Sequence, residues 1–188
     1  NSAADRAITA RLYGGDRTTR IQQELVLGVG GARALEALGI EPRVWHLNEG
    51  HSAFLLLERA RRALVRGHAT SAAQAIEAGR RGAVFTTHTP VEAGHDRFER
   101  PLVERFLPHY AEALGVTLDA LMALGHWPNE HNRGADFNMT LLALHGCARQ
   151  NGVAALHGEV SREMFARFYG DLPLDEVPIT HVTNGVHA

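Results

Sequence analysis

The sequence predicts an α/β fold, in which helices flank a parallel β-sheet. Three short apolar runs, 44–47, 83–86 and 179–182, have the length and the apolar content of buried strands. Segments with helical spacing of apolar residues separate these runs, and strands that alternate with helices usually pair in parallel. We therefore expect a single α/β domain over residues 1–188.

Polar side chains follow each predicted strand at the point where the strand ends. The clusters are Asn48-Glu49-Gly50-His51, Thr86-Thr87-His88-Thr89-Pro90 and Thr183-Asn184-Gly185. Because ligands of open α/β sheets bind outside the carboxyl ends of the strands, the three clusters together predict a site. Singly they are weaker signals. Each histidine is about as consistent with a structural hydrogen bond in its loop as with a ligand contact. The glutamate could instead be a charge at a helix N-terminus, and the Asn-Gly pair could be a simple turn.

The helices around the first strand follow from the spacing of apolar residues. A helical pattern covers 5–38, and the glycines within 28–31 predict close packing of that helix against a neighbour. A further helix is predicted over 52–66, with Glu58 and the arginines beside it mostly in solvent. Later helices are predicted over 72–78, 99–114, 118–124, 137–148 and 155–169. Residues 125–136 are predicted to be a surface loop, 150–154 an interruption between two helices, and 171–178 a loop.

Composition argues against several classes of function. A net charge of −2 with 21% charged residues gives no broad attraction for nucleic acid or for a membrane surface. The apolar runs are too short to span a bilayer and the first residues lack a signal-peptide core, so we expect a cytoplasmic protein. The single cysteine, Cys147, excludes an intramolecular disulfide and lies in an apolar run that favours a buried thiol.

Two further observations constrain the chemistry. All 19 Lys and Arg residues are arginines, and an arginine cannot supply the deprotonated amine that a Schiff base needs. His126 and His131 lie near Glu130 and Asp136, but their spacing is irregular and no H-E-x-x-H pattern occurs. The sequence therefore predicts neither an internal aldimine nor a metal site.

Several motifs, in this order along essentially the whole chain, resemble those of the α-glucan (glycogen or maltodextrin) phosphorylase family, bacterial branch. They are Leu12-Tyr13-Gly14-Gly15-Asp16, Arg20-Ile21-Gln22-Gln23-Glu24, 46–54, 85–90 with Gly94-His95-Asp96, 151–154 with Leu156-His157, and 183–186. The resemblance implies a Rossmann-like parallel sheet that forms part of the N-terminal lobe of a two-lobed, GT-B type glycosyltransferase. It also implies that the C-terminal, cofactor-binding lobe is absent here, so we expect these residues to be part of a longer protein and to be inactive alone.

The family reaction is phosphorolysis of an α-1,4-glucan by inorganic phosphate, which yields glucose 1-phosphate. The resemblance implies pyridoxal phosphate as the cofactor of the full-length enzyme, on a lysine outside this chain, and a homo-oligomer as its assembly. It implies that His88 lies beside the sugar as the catalytic residue. It implies the following substrate-binding residues: Asn48, Glu49, His51, Thr87 and Asn184.

Two other functions remain open from the sequence. A sugar-nucleotide-dependent glucan synthase of the same two-lobed fold would share these strand ends, and a cofactor lysine elsewhere in the protein would distinguish the phosphorylase. A non-catalytic glucan-binding module is the third possibility, although aromatic residues make up only 6% of the chain.

Overall fold

The computed structural model describes residues 2–11, 15–129 and 135–185. Four strands form a parallel sheet: β1 (Trp45–Asn48), β2 (Ala83–Thr86), β5 (Arg149–Gly152) and β6 (Ile179–His181). Their spatial order is β1-β2-β5-β6, so the carboxyl ends of all four strands meet at one edge. Two short strands, β3 (Arg97–Phe98) and β4 (Phe137–Asn138), pair separately and antiparallel. The predicted α/β fold with a parallel sheet is confirmed.

Helices flank the sheet. Within the described ranges they are α1 (Ala3–Ala7), α2 (Arg17–Leu25), α3 (Gly31–Ala37), α4 (Phe54–Val65), α5 (Ala72–Arg80), α6 (Arg100–Phe106), α7 (Pro108–Leu114), α8 (Leu118–Ala123), α9 (Met139–Gly146) and α10 (Ala155–Phe165). The helix predicted over 99–114 is divided at Leu107 because Pro108 begins a new helix. None of these helices has both the length and the apolar character that crossing a membrane requires.

Strand β5 was not predicted. Its residues, Arg149 to Gly152, are polar or flexible and read as an interruption between two helices. In the fold this strand is the inner partner of both β2 and β6. Its buried side-chain amides are hydrogen-bonded: Gln150 Nε2 donates to the carbonyl of Cys147 at 2.6 Å, and Asn151 Oδ1 accepts a bond from Thr86 of the neighbouring strand at 3.0 Å. Pairing with neighbours outweighs the low strand propensity of these residues.

Glycine 28 brings the first helical segment against the start of α4. Helices α2 and α3 are joined without a break by a π-helical turn, Val26–Gly30. A Cβ at position 28 would lie 2.8 Å from the carbonyl oxygen of Ser52 and 2.8 Å from the amide nitrogen of Leu55. Close packing is therefore confirmed for Gly28. The prediction of close packing is wrong for Gly31, where a Cβ would meet nothing within 4 Å.

The prediction that Glu58 lies in solvent is wrong. Its side chain is 0% exposed and joins three helices through hydrogen bonds. Arg33 of α3 and Tyr110 of α7 donate to its carboxylate at 3.1 and 2.7 Å, and Arg61 and Arg62 of its own helix donate as well. Although burial opposes it, these donors hold the pKa of Glu58 well below its usual range. A prediction from the polarity of helix faces places any charged residue in solvent. It misses Glu58 because neighbouring arginines neutralise the buried carboxylate.

The two glycines give a matched test of this packing. We expect Gly28→Ala to lower the free energy of unfolding by about 1–3 kcal/mol, because the new methyl group must displace the backbone of α4. In contrast, Gly31→Ala should raise it by about 0.5–1 kcal/mol, since alanine is the better helix former and the space is open. Urea denaturation followed by circular dichroism measures both values. Equal effects of the two substitutions would contradict the assigned contact.

Candidate functional site

A cleft of about 570 Å³ lies at the carboxyl edge of the sheet, beside the ends of β1 and β2. The structure brings together here four of the residues that the sequence indicated: Asn48, Glu49, His51 and His88. The lining is completed by residues from α2 and from the segment after β2: Arg20, Thr89, Gly94 and Asp96. Hydrogen-bonding side chains from three separate segments therefore face a single space.

The pairing of β1 with β2 places the first of these side chains. Asn48 lies opposite Thr86 in the parallel register, and the amide of Glu49 donates to the carbonyl of Thr86 at 2.9 Å. The sheet thus continues one residue past the assigned end of β1. The chain then turns sharply through Gly50, whose absent side chain leaves room for Met139: a Cβ there would be 3.0 Å from that residue's Cβ.

Glu49 contacts the loop that carries His88. Its carboxylate oxygen Oε1 accepts a hydrogen bond from the His88 amide and another from Thr89 Oγ1 at 3.1 Å. The same oxygen is 3.6 Å from Nδ1 of the His88 ring. The His88 side chain remains 40% exposed toward the cleft, whereas that of Glu49 is 12% exposed.

The other two candidates, Thr87 and Asn184, lie differently. Thr87 is buried, its amide donates to the carbonyl of Asn151 at 3.0 Å, and its hydroxyl accepts a 3.3 Å bond from the Thr89 amide. Asn184 is exposed beyond the end of β6 and donates its backbone amide to Val153 at 3.0 Å. Neither residue lines the cleft at β1 and β2. Strand β5 lies between the end of β6 and that of β2, which explains the separation.

A second group of charges closes one side of the cleft. Arg20 Nη2 lies 2.8 Å from His51 Nδ1 and 2.8 Å from Asp96 Oδ2, and its Nε is 3.0 Å from Glu24 Oε1. His51 Nδ1 is also 3.1 Å from Asp96 Oδ2. A guanidinium can only donate and a carboxylate can only accept, so His51 Nδ1 either accepts from Arg20 or, in the tautomer that carries its proton on Nδ1, donates to Asp96. Helix α2 presents Arg20 and Glu24 on one face because they are four residues apart.

The two carboxyl groups of this cluster ionise at very different pH. Burial and the neighbouring Asp96 raise the pKa of Glu24 to about 10, although Arg20 opposes the shift. Burial would also raise the pKa of Asp96, but hydrogen bonds from His51, Arg20 and Glu24 hold it well below its usual range. At neutral pH Glu24 therefore keeps its proton and Asp96 carries the negative charge that faces Arg20.

Three side chains of this cluster could offer ligands to a metal ion. Donor atoms of Glu24, His51 and Asp96 lie within 4.8 Å of one another. The guanidinium of Arg20 already supplies the positive charge between them, and Glu24 holds a proton that a cation would have to displace. Of the histidine-rich segment indicated by the sequence, Glu130 and His131 lie outside the described residues, and His126 Nε2 is bonded to the carbonyl of Ala135 at 3.1 Å.

A chain of side chains links three strands beneath the cleft. Thr86 Oγ1 donates to Asn151 Oδ1 at 3.0 Å and lies 2.7 Å from His46 Nε2. Because the hydroxyl proton is used toward Asn151, His46 must donate from Nε2. The carboxyl ends of β1, β2 and β5 are thereby fixed laterally by side chains as well as by the backbone.

Sequence reasoning missed the contribution of α2. His95 of the Gly94-His95-Asp96 motif is buried, and its Nδ1 lies 2.9 Å from Thr140 Oγ1. Asp96, however, lines the cleft together with Arg20. One signal was available: Glu24 is an acidic residue on the same helical face as Ile21 and Gly28, which are apolar or small and buried.

The raised pKa of Glu24 has a consequence for stability. Between its ordinary pKa of 4.5 and about 10 the folded chain holds one proton more than the unfolded chain, so stability falls as pH rises through this window. The Glu24→Gln variant has no such proton. As the pH rises through this range, we therefore expect the free energy of unfolding of Glu24→Gln to increase relative to that of the wild type by about 1.4 kcal/mol per pH unit.

Urea denaturation at a series of pH values from 5 to 9 measures the difference. The matched variant Asp96→Asn should instead be destabilised at all of these pH values, because it removes a partly buried carboxylate that forms an ion pair with Arg20. A constant difference between the wild type and Glu24→Gln would show that Glu24 is ionised in the folded chain.

Sequence comparisons relate the chain to glucan phosphorylases. It is 42% identical over 187 residues to the maltodextrin phosphorylase of Thermococcus litoralis, a match that covers 100% of the chain and 21% of that protein. It is 44% identical over 194 residues to the glycogen phosphorylase of Mycobacterium tuberculosis, covering 97% of the chain and 22% of that protein. The glycogen phosphorylase of Aquifex aeolicus is 33% identical, with coverage of 100% and 26%.

No protein-family model matches the chain. The chain spans 21% to 26% of the length of these three curated relatives. The similarity covers nearly every residue of the chain in each case, at identities of 33% to 44%. By sequence, the chain is therefore similar, over nearly all of its residues, to one part of these glycogen and maltodextrin phosphorylases.

Proposed function

We propose that the protein to which this chain belongs is an α-1,4-glucan phosphorylase, which transfers the terminal glucose of a maltodextrin or glycogen chain to inorganic phosphate. The observation that carries the proposal is the cleft at the carboxyl ends of β1 and β2, where His88 is exposed on a loop anchored by Glu49. The three relatives described above, each named a glycogen or maltodextrin phosphorylase, support it.

The chemistry of the cleft suits a neutral sugar. A glucosyl unit offers only hydroxyl groups, so its site needs fixed donors and acceptors, and the cleft supplies amide, imidazole, hydroxyl and carboxylate groups. A site built to hydrogen-bond a hydroxyl also rejects analogues that lack it. Asn48, Glu49 and His51 line the wall of the cleft that would face the glucan, and we propose that Asn48 and His51 are the residues of this wall that bind it.

His88 is proposed as the catalytic residue. Its backbone carbonyl would face the anomeric carbon, where positive charge develops as the glycosidic bond breaks, and a carbonyl dipole lowers the energy of that charge. Its ring would hydrogen-bond the 6-hydroxyl of the sugar, with Asn184 on the other side of that hydroxyl and Thr87 behind the loop. Asn184 reaches the sugar only if the site extends along the edge from β2 past β5 to β6.

The parts of the proposal beyond this chain follow from the family resemblance. They are a two-lobed GT-B architecture with this sheet in the N-terminal lobe, a cytoplasmic homo-oligomer, and pyridoxal phosphate as the cofactor. The residues present do not fit covalent attachment of that cofactor, because none of the 19 basic residues is a lysine. The lysine that holds pyridoxal phosphate is therefore proposed to lie elsewhere in the protein.

The proposal is tested with the full coding sequence that contains this chain. The wild type is expected to release glucose 1-phosphate from maltodextrin and phosphate, dependent on added pyridoxal phosphate. Each of His88→Ala and Asn184→Ala should lower kcat/KM by about 10²-fold, as for the loss of one group that acts in the transition state.

The control is His68→Ala, which removes an exposed histidine that lies outside the cleft. It should leave phosphorolysis unchanged. Near-normal turnover by His88→Ala would remove the catalytic role from this residue. Glucan extension from a nucleotide sugar, without phosphorolysis, would assign the protein to the synthases instead.

A further inference from the structure

The backbone of Glu49 adopts a conformation that normally belongs to glycine. Its φ is 64° and its ψ is 177°, a region that side chains other than that of glycine almost never occupy. Holding such a residue in this conformation costs free energy, which the surrounding structure must offset. A strained glutamate at a strand end is therefore retained for something that its side chain does.

The adjacent glycine does not explain the strain. Gly50 has no side chain because a Cβ there would lie 3.0 Å from the Cβ of Met139 and 3.2 Å from the backbone of Met139 and Thr140. Glycine would also be the unstrained choice at position 49, where the chain carries glutamate. Backbone geometry and side-chain identity are in conflict at Glu49 and not at Gly50.

The carboxylate of Glu49 fixes the loop on both sides of one peptide unit. It accepts from the amide of His88, and it accepts at 3.1 Å from the hydroxyl of Thr89. The peptide between His88 and Thr89 donates its N–H to Thr87 Oγ1 at 3.3 Å. The N–H and C=O of a trans peptide point in opposite directions, so the buried Thr87 hydroxyl fixes the direction of the His88 carbonyl.

We propose that Glu49 and Thr87 are positioning residues that act through His88, and that neither binds the sugar directly. Glu49 holds the loop by charge-assisted bonds, and Thr87 sets the orientation of the peptide whose carbonyl faces the reacting carbon. This inference rests on the proposed function for its kinetic consequence, but the anchoring itself is a property of the loop. The strain at Glu49 is the cost of placing a carboxylate at this strand end.

The kinetic test uses two substitutions of Glu49 in the full-length protein. Glu49→Gly removes the anchor and relieves the strain, so kcat should fall by about 10²-fold while Tm is unchanged or raised. The KM for maltodextrin should stay within about threefold, because the groups that bind the sugar remain. Glu49→Gln keeps an acceptor without the charge and should recover part of the lost kcat.

A second variant and a control separate positioning from folding. Thr87→Val, which keeps the shape but removes the hydroxyl, should lower kcat with the same small change in KM. Asp171→Gly relieves a positive φ of 56° at an exposed residue far along the chain from the loop. It should raise Tm without changing kcat.

Hydrogen exchange of the His88 amide gives a readout that is independent of activity. Exchange should accelerate at least tenfold in Glu49→Gly and be unchanged in Asp171→Gly. If the wild type releases no glucose 1-phosphate, the proposed function fails and this exchange measurement still decides whether Glu49 anchors the loop. A rise in KM alone, or unchanged exchange of the His88 amide in Glu49→Gly, would overturn the proposal.

Discussion

The pairing of β2 with a parallel neighbour on each side is the interaction on which the candidate site depends. Asn48, Thr86 and Asn151 lie side by side in the register of the three strands. Backbone bonds continue past the strand ends, since Glu49 donates to Thr86 and Thr87 donates to Asn151. A slip of one residue would turn every one of these side chains to the opposite face. The cleft is therefore as well defined as the sheet register.

Two buried glutamates show how hydrogen-bond donors affect the charge of a carboxylate. Glu58 receives bonds from three arginines and a tyrosine, which together outweigh the cost of its burial, and it stays ionised. Glu24 is paired with Arg20, which also pairs with Asp96, and it keeps its proton. The first glutamate joins helices, whereas the second helps to order the wall of the cleft. Two side chains with almost no solvent exposure thus differ in protonation.

Much of the fold could be predicted from sequence, because strands β1, β2 and β6 follow local apolar patterns. Strand β5 could not be predicted, because Gln150 and Asn151 are favourable in a strand only through the hydrogen bonds that they make to residues outside it. The helix break before Pro108 follows from the covalent structure of proline, although a helical pattern runs across it. Local pattern succeeds where a residue's own chemistry dictates its conformation.

By itself, the sequence determined the fold class, the polar strand ends and the similarity to α-glucan phosphorylases. These depend on residue type and order along the chain, which the printed sequence contains in full. Only the tertiary structure decided that Arg20 and Asp96 line the cleft, that Glu49 holds the His88 loop from a strained backbone, and that Asn184 lies two strands away. Such placements depend on which residues far apart in the sequence come close together in space. The order of the strands and the connections between them decide this.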